Sequence, residues 1–211
     1  MSRLEDKLTR EIGFRKKEIS ELYILVQSTK SSESTRKHLL RGLLLLIYAH
    51  WEGFIKSASK KYLKALQEMK IPCNQLQPAL KAFYLYSQFK SQQGSEWNKF
   101  SVALNFNEKV IFDKDISNEI STKSNLNTEV FKNIVARIGI DDLNIDMKKG
   151  IIDDGLLDRR NSIAHGQMIH IDLSDLIIYK DQIVHLLDCY LDLILDAYDN
   201  KKYLNAVQTV D

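Results

Sequence analysis

The sequence predicts an all-α protein, folded as an up-and-down helical bundle. Three observations lead there. Helix breakers are scarce, with 2 prolines and 8 glycines in 211 residues, so long uninterrupted helices are expected. Apolar residues recur every three or four positions over long windows. Capping residues stand where those windows begin and end.

The elements follow in chain order. Ser2 with Glu5 reads as a capping box. Behind it, Leu4, Leu8, Ile12, Ile19, Leu22 and Val26 carry a first helix to about Lys30. The stretch "STKSSESTR" breaks the pattern and reads as a loop. A second helix is expected from about Thr35 to about Met69, with Pro72 marking its end. Its middle, "LLRGLLLLIYAHWEGFIKSASKKYL", is apolar nearly all round, which marks a buried central helix. Residues 76–92 read as a third helix. Residues 93–125 are polar and irregular, an insertion in which 110–112 is the one short strand candidate. Asn127 or Thr128 caps a helix through Arg137 that Gly139 closes. After the acidic "DDLNIDMKKG" comes a helix over about 151–164, with Gly166 as its stop. Ser174 and Asp175 open a last long helix with a continuous apolar stripe from Leu176 to Leu195. With no internal repeat or low-complexity tract, residues 1–211 read as a single domain.

Composition excludes several classes. The net charge of +2 creates no global field that forces a nucleic-acid reading. Charge is uneven, however: residues 1–70 hold 15 Lys/Arg against 8 Asp/Glu, while residues 141–211 are acidic. A basic end attracts polyanions, but a solvated helix face has the same composition. Cys73 and Cys189 are far apart and read as small buried side chains in a reducing cytoplasm. The charged N-terminus is not a signal peptide, and "GLLLLIYAHW" is too short to span a bilayer, so a soluble cytoplasmic protein is expected. No Gly-rich phosphate loop is present, and no cofactor is implied. His38, His170 and His185 are not read as a metal site, and the Asp-rich 141–154 stretch lacks the order of a calcium loop.

The stretch that carries chemistry is "DRRNSIAHGQ", Asp158–Gln167. On a helix, Asn161 and His165 lie one turn apart on one face, with Arg160 on the neighbouring flank. Histidine exchanges a proton near neutral pH. Arginine offers a permanent charge in a planar fork that suits phosphate oxygens. Asn161 can orient the imidazole or a substrate oxygen. Together these groups suffice to cleave RNA without metal: a 2′-hydroxyl attacks its own phosphate while the arginine stabilises the growing charge. The plainer reading is a C-terminal helix cap, in which basic residues and a glycine follow the helix dipole.

"RRNSIAHG" resembles the R-x4-6-H motif of the HEPN superfamily. Together with the long first helix and the "YAHWEGF" helix, it is similar to the RiboL-PSP-HEPN-like branch of prokaryotic defence and toxin systems. The resemblance covers residues from about 10 to 200 and is weakest over 93–125. It implies a HEPN-type bundle that dimerises, with two motifs meeting across the interface. It implies a metal-independent endoribonuclease acting on RNA, in antiviral defence or a toxin–antitoxin pair, with a partner protein from the same locus. The alternative is a non-catalytic helical module that binds RNA or protein, as a subunit of a larger defence complex or alone. Arg160, Asn161 and His165 match the motif positions, and Arg159 matches the R-x5-H form. Some such toxins carry a tyrosine two residues after the histidine, modified by a partner nucleotidyltransferase; here that position is Gln167, which departs from the pattern.

Other side chains join the candidate set. Glu52, an acid in apolar surroundings, is expected to be paired, either holding Arg160 or His165 in place or bonded elsewhere. Asp158 is read as a partner for a motif arginine, and Asp153 and Asp154 as charges favouring the N-terminus of their own helix. His50 reads as a satisfied core histidine. Tyr84, Tyr86 and Phe89 can stack on bases, though such spacing more often marks a core.

Overall fold

A computed structural model describes residues 2–28, 32–91, 96–98, 101, 110–112 and 115–205. Six α-helices organise the described residues: α1 (Arg3–Ser28), α2 (Glu33–Glu68), α3 (Pro78–Ser91), α4 (Thr128–Ile138), α5 (Asp158–Ala164) and α6 (Leu173–Asp199). Short 3₁₀ turns cover Cys73–Gln75, Ser117–Glu119 and Ile145–Lys148. A π-helical stretch, Gly150–Leu157, runs directly into α5. Among the described residues there is no strand.

Local signals explain the helix ends. Ser2 and Glu5 cap reciprocally, with Glu5 N donating to Ser2 Oγ at 3.1 Å and Ser2 N to Glu5 Oε2 at 3.2 Å. Ser32 caps α2, so this helix begins at Glu33 and the expected loop is shorter than its polar composition suggests. Residues 29–31 lie outside the described set. Asn127 accepts from Val130 N at 2.8 Å, and Gly139 ends α4 at φ 71°. A side chain at Gly139 would also collide with Gln77, whose amide donates to the Gly139 carbonyl at 2.8 Å.

α2 is the axis of the bundle and buries most of its circumference from Leu40 to Leu66, leaving one side exposed at Gly42, Ala49, Lys56 and Lys64. α1 and α6 pack against it and against each other. They run antiparallel: Lys16 reaches Asp188 at 2.6 Å, and Lys180 lies over the Tyr23 ring, 5.1 Å from its centroid. α3 packs on α4. At the centre Trp51 stacks on Phe131 with centroids 5.6 Å apart, and Phe131 meets Tyr190 edge-on at 5.6 Å. Burying each such ring contributes on the order of 1.5–3 kcal/mol. The exposed ion pairs at the rim contribute about 0–1 kcal/mol each, so the apolar seam decides the fold. Glu11 adds one half-buried clamp between α1 and α2, bonded by Arg15 at 2.5 Å, Ser57 at 2.9 Å and Lys61.

Two expectations change here. The strand candidate at 110–112 forms one antiparallel bridge, Ile111 opposite Pro72, flanked by Cys73 N to Val110 O and Phe112 N to Ile71 O, both 2.8 Å. The ladder stops on either side of Pro72 because Lys70 is left-handed (φ 53°) and Cys73 opens a 3₁₀ turn, so the chain is extended for too few residues to pair further. The second half of the presumed insertion is part of the core: Phe112, Ile116 and Ile120 are buried against the bundle. Most of 93–109 lies outside the described residues.

Candidate active site

The helix expected over 151–164 has two windings. Residues 150–157 are π-helical, closed by Asp158 N donating to Asp153 O, and bury Ile152, Gly155, Leu156 and Leu157. Gly155 permits the close packing, since a Cβ there would lie 2.9 Å from the Tyr179 ring and hydroxyl. α5 then continues as ordinary α-helix with no fully buried residue, only Ile163 packing half-buried against the core.

The two adjacent arginines have different surroundings. Arg159 is drawn to α6: its Nη1 lies 2.5 Å from Asp175 Oδ2, and its guanidinium stands 5.7 Å from the Tyr179 ring centroid. The carboxylate that holds a motif arginine is therefore Asp175, not Asp158, which is exposed at the start of α5. Arg160 turns to α2. Its guanidinium lies 5.0 Å from the Tyr48 ring centroid, and its Nη1 donates to Asn161 Oδ1 at 2.8 Å and Asn125 Oδ1 at 3.3 Å. Among the described residues no partner takes its Nη2 or Nε, so one edge of the fork is available.

Below Arg160 the network continues into the core. Tyr48 accepts from Leu126 N at 2.6 Å and lies beside Glu52. Burial, with the Glu52 charge next, pushes the Tyr48 phenol well above its ordinary range, so it stays neutral. Glu52 itself accepts from Thr122 Oγ1. It therefore reaches Arg160 only through the Tyr48 ring, and no direct bond joins it to Arg160 or His165 among the described residues. The segment 122–126 is thus strapped onto α2 at two points and delivers Asn125 to the arginine.

His165 sits at the end of α5. Its N donates to Asn161 O at 3.0 Å, while Gly166 N reaches Ile163 O at 3.0 Å and Gln167 N reaches Ser162 O at 2.9 Å. This paired closure requires the left-handed Gly166, φ 75°. It leaves the imidazole exposed, with no side-chain partner among the described residues. Arg41 of α2 fixes the turn from outside, donating to the Gln167 carbonyl at 2.9 Å. Beyond that turn opens a cavity of about 780 Å³, lined in part by Lys37, His38, Arg41, Met168 and His170.

Other sequence-predicted residues fall elsewhere. Asp153 caps a different helix from its own: its carboxylate accepts from Thr128 N and Oγ1 of α4, both at 2.8 Å. A π-helix that continues a 3₁₀ turn offers it no free N-terminus, whereas α4 does. Asp154 is exposed. His50 is buried, with Arg15 Nη1 3.3 Å from Nδ1 and Glu18 Oε2 2.8 Å from Nε2. Burial, then the Arg15 charge, holds its pKa below the ordinary histidine value. Tyr84 is buried, Phe89 half-buried, and Tyr86 exposed beneath Arg137. Cys73 is buried but Cys189 is not, and Cys189 Sγ stands 3.5 Å from His185 Nε2, one helical turn away. Among the described residues no three His, Cys, Asp or Glu side chains are grouped to hold a metal ion, and no helix is long and apolar enough to cross a membrane.

Sequence reasoning does not find Asn125, Tyr48 and Arg41. Tyr48 has a signal, since it lies four residues before Glu52 on one stripe of α2. Asn125 and Arg41 have none, because their partners are remote in the chain.

The described residues thus form an all-helical bundle with Arg160 and His165 near an exposed helix end. The profile of the MAE_28990-like HEPN family matches residues 4–203, and the chain belongs to that family. The superfamily resemblance is thereby established, and the matching family within it is the MAE_28990-like one. No curated protein and no solved structure matches the chain.

Proposed function

We propose that the protein is a metal-independent endoribonuclease that acts as a homodimer, in antiviral defence or as the toxin of a toxin–antitoxin pair. HEPN domains are often ribonucleases. The observation that carries the reading is the pairing of a half-free Arg160 guanidinium with an exposed His165 on a helix that has no fully buried residue.

In this reading His165 of one copy removes the proton from the ribose 2′-hydroxyl. The 2′-oxygen attacks the adjacent phosphorus, and the open edge of Arg160 binds the non-bridging oxygens as charge grows on them. His165 of the second copy protonates the departing 5′-oxygen. The products are a 2′,3′-cyclic phosphate and a 5′-hydroxyl. Asn161 ties Arg160 to the helix turn that ends at His165, and Tyr48 offers the guanidinium a neutral π face.

The test is incubation of purified protein with RNA in excess EDTA, followed by analysis of product ends. Cyclic phosphate ends, lost in Arg160→Ala and His165→Ala, are expected. Cleavage that survives both substitutions overturns the roles of Arg160 and His165. RNA that is retained but never cut by the unsubstituted protein makes the chain a binding module instead.

A further inference from the structure

α2 carries five lysines, and they divide into two sets. Lys37 pairs with Glu33 at 2.7 Å, and Lys61 with Glu11. Lys56, Lys60 and Lys64 have no carboxylate within pairing distance among the described residues. These three stand at four-residue intervals, and the same interval extended backward meets Glu52 and Tyr48. The row starts at the ring beneath Arg160 and, because each four-residue step turns about 40° on a 3.6-residue helix, winds round α2 to the unpaired ammonium groups.

The bordering chain makes no direct ion pair with that row among the described residues. The segment 115–126 follows the row antiparallel: Leu126 bonds Tyr48, Thr122 bonds Glu52, and Asp115 lies near Lys60 and Lys64. Neither of its acids reaches pairing distance of the row, although the Asp115 charge attracts Lys64 and Lys60. Asp115 accepts from Ser117 N at 2.9 Å, and Glu119 pairs with Lys90 at 2.6 Å. Glu52 is covered by Thr122 and Tyr48. The same segment adds Lys123, exposed on a left-handed turn (φ 53°) between Thr122 and Asn125.

We propose that Lys56, Lys60, Lys64 and Lys123 form a track for the sugar–phosphate backbone of single-stranded RNA leading away from Arg160. This rests on the ribonuclease reading and names how its substrate is held. Successive lysines rise about 6 Å along the helix, and Lys64 stands about 24 Å beyond Tyr48, room for several nucleotides. Contacts of this kind carry charge but no base information, so the track sets affinity and direction, not sequence. The cavity on the far side of His165 is less suited to the backbone, because Lys37 there pairs with Glu33 and His170 with Asp172 at 2.9 Å.

The experiment uses the full chain with Lys56, Lys60 and Lys64 all changed to Gln, beside the same three changed to Arg. Cleavage is measured on a dinucleotide and on a single strand of about twelve nucleotides. Binding of the longer strand is measured in the His165→Ala background at several salt concentrations. We expect KM for the longer strand to rise about tenfold with kcat unchanged, and dinucleotide cleavage to be unaltered. The slope of log affinity against log salt should fall by about 2, at about 0.7 per lost phosphate contact on a single strand. The arginine variant should behave as the unsubstituted protein. If RNA is cut but KM and salt slope do not move, the track is overturned and the ribonuclease reading stands. If RNA is bound with the expected slope change yet never cut, the track stands and the ribonuclease reading fails. Absence of RNA binding overturns the track outright.

Discussion

Residues 150–157 and 158–164 form one continuous helical run, yet they do opposite things. The first half is π-wound and anchored, with Ile152, Gly155, Leu156 and Leu157 buried and Gly155 pressed against Tyr179. The second half is α-wound and has no fully buried residue. The anchored half sets where the exposed half points. A helix with no fully buried residue can devote its polar side chains to a ligand, provided that a neighbouring segment supplies most of the stability. The two arginines at the junction divide along the same line: Arg159 belongs to the anchor, through Asp175, and Arg160 to the presented face.

His165→Ala puts this contrast under the most strain. Cleavage should fall about a hundred- to ten-thousand-fold, the usual value of a positioned acid–base group. Thermal unfolding should shift by no more than about 0.5 kcal/mol, since the side chain is exposed and unpartnered. A large stability loss would mean that the presented half is structural after all. Next in size is Gly155→Val, which forces a branched side chain into Tyr179 and should destabilise by about 1–3 kcal/mol in denaturant titration. It should also impair cleavage, because α5 is aimed by this contact; unaltered stability would remove the anchor. Asp175→Asn should cost under about 1 kcal/mol, because the Arg159 pair is a third exposed on both sides. Its cleavage rate should stay within a few fold of the unsubstituted protein. A collapse of activity there would instead place Arg159 at the phosphate.

The smallest effect separates two imidazoles, one presented and one buried. The folded-state pKa of His50 lies below the ordinary 6.5, through burial and then Arg15. The unfolded chain therefore takes up that proton first. Stability that is present above pH 6.5 should decline as pH falls toward the folded value. His50→Gln should flatten this part of the melting-temperature profile while leaving any cleavage activity unaltered. If the profile keeps its slope in His50→Gln, another group is responsible.

Much of the fold was legible in the sequence. The six helices, the Ser2–Glu5 box, the Asn127 cap and the glycine stops at 139 and 166 all follow from residues within a turn of one another. The π winding was less visible, though Ile151 and Ile152 followed five residues later by Leu156 and Leu157 match its longer turn better than an α period. The candidate site was legible only as a set of residues. Its motif could be read, but which arginine is free could not, because Asp175 and Tyr48 compete for two neighbouring side chains from opposite sides. Asp153 shows the same limit: its carboxylate is well placed for its own helix by sequence, and in space serves α4.

Local sequence was enough for the helices, their ends and the residues able to do phosphate chemistry, because helix formation and capping are governed by free energies that act over three or four residues. Long-range packing alone selects which of those residues are tied down and which are offered. Thr122 meets Glu52 across 70 positions of chain and Leu126 meets Tyr48 across 78. Contacts that distant form only when a core has already fixed the backbone on both sides, so no local pattern can encode them.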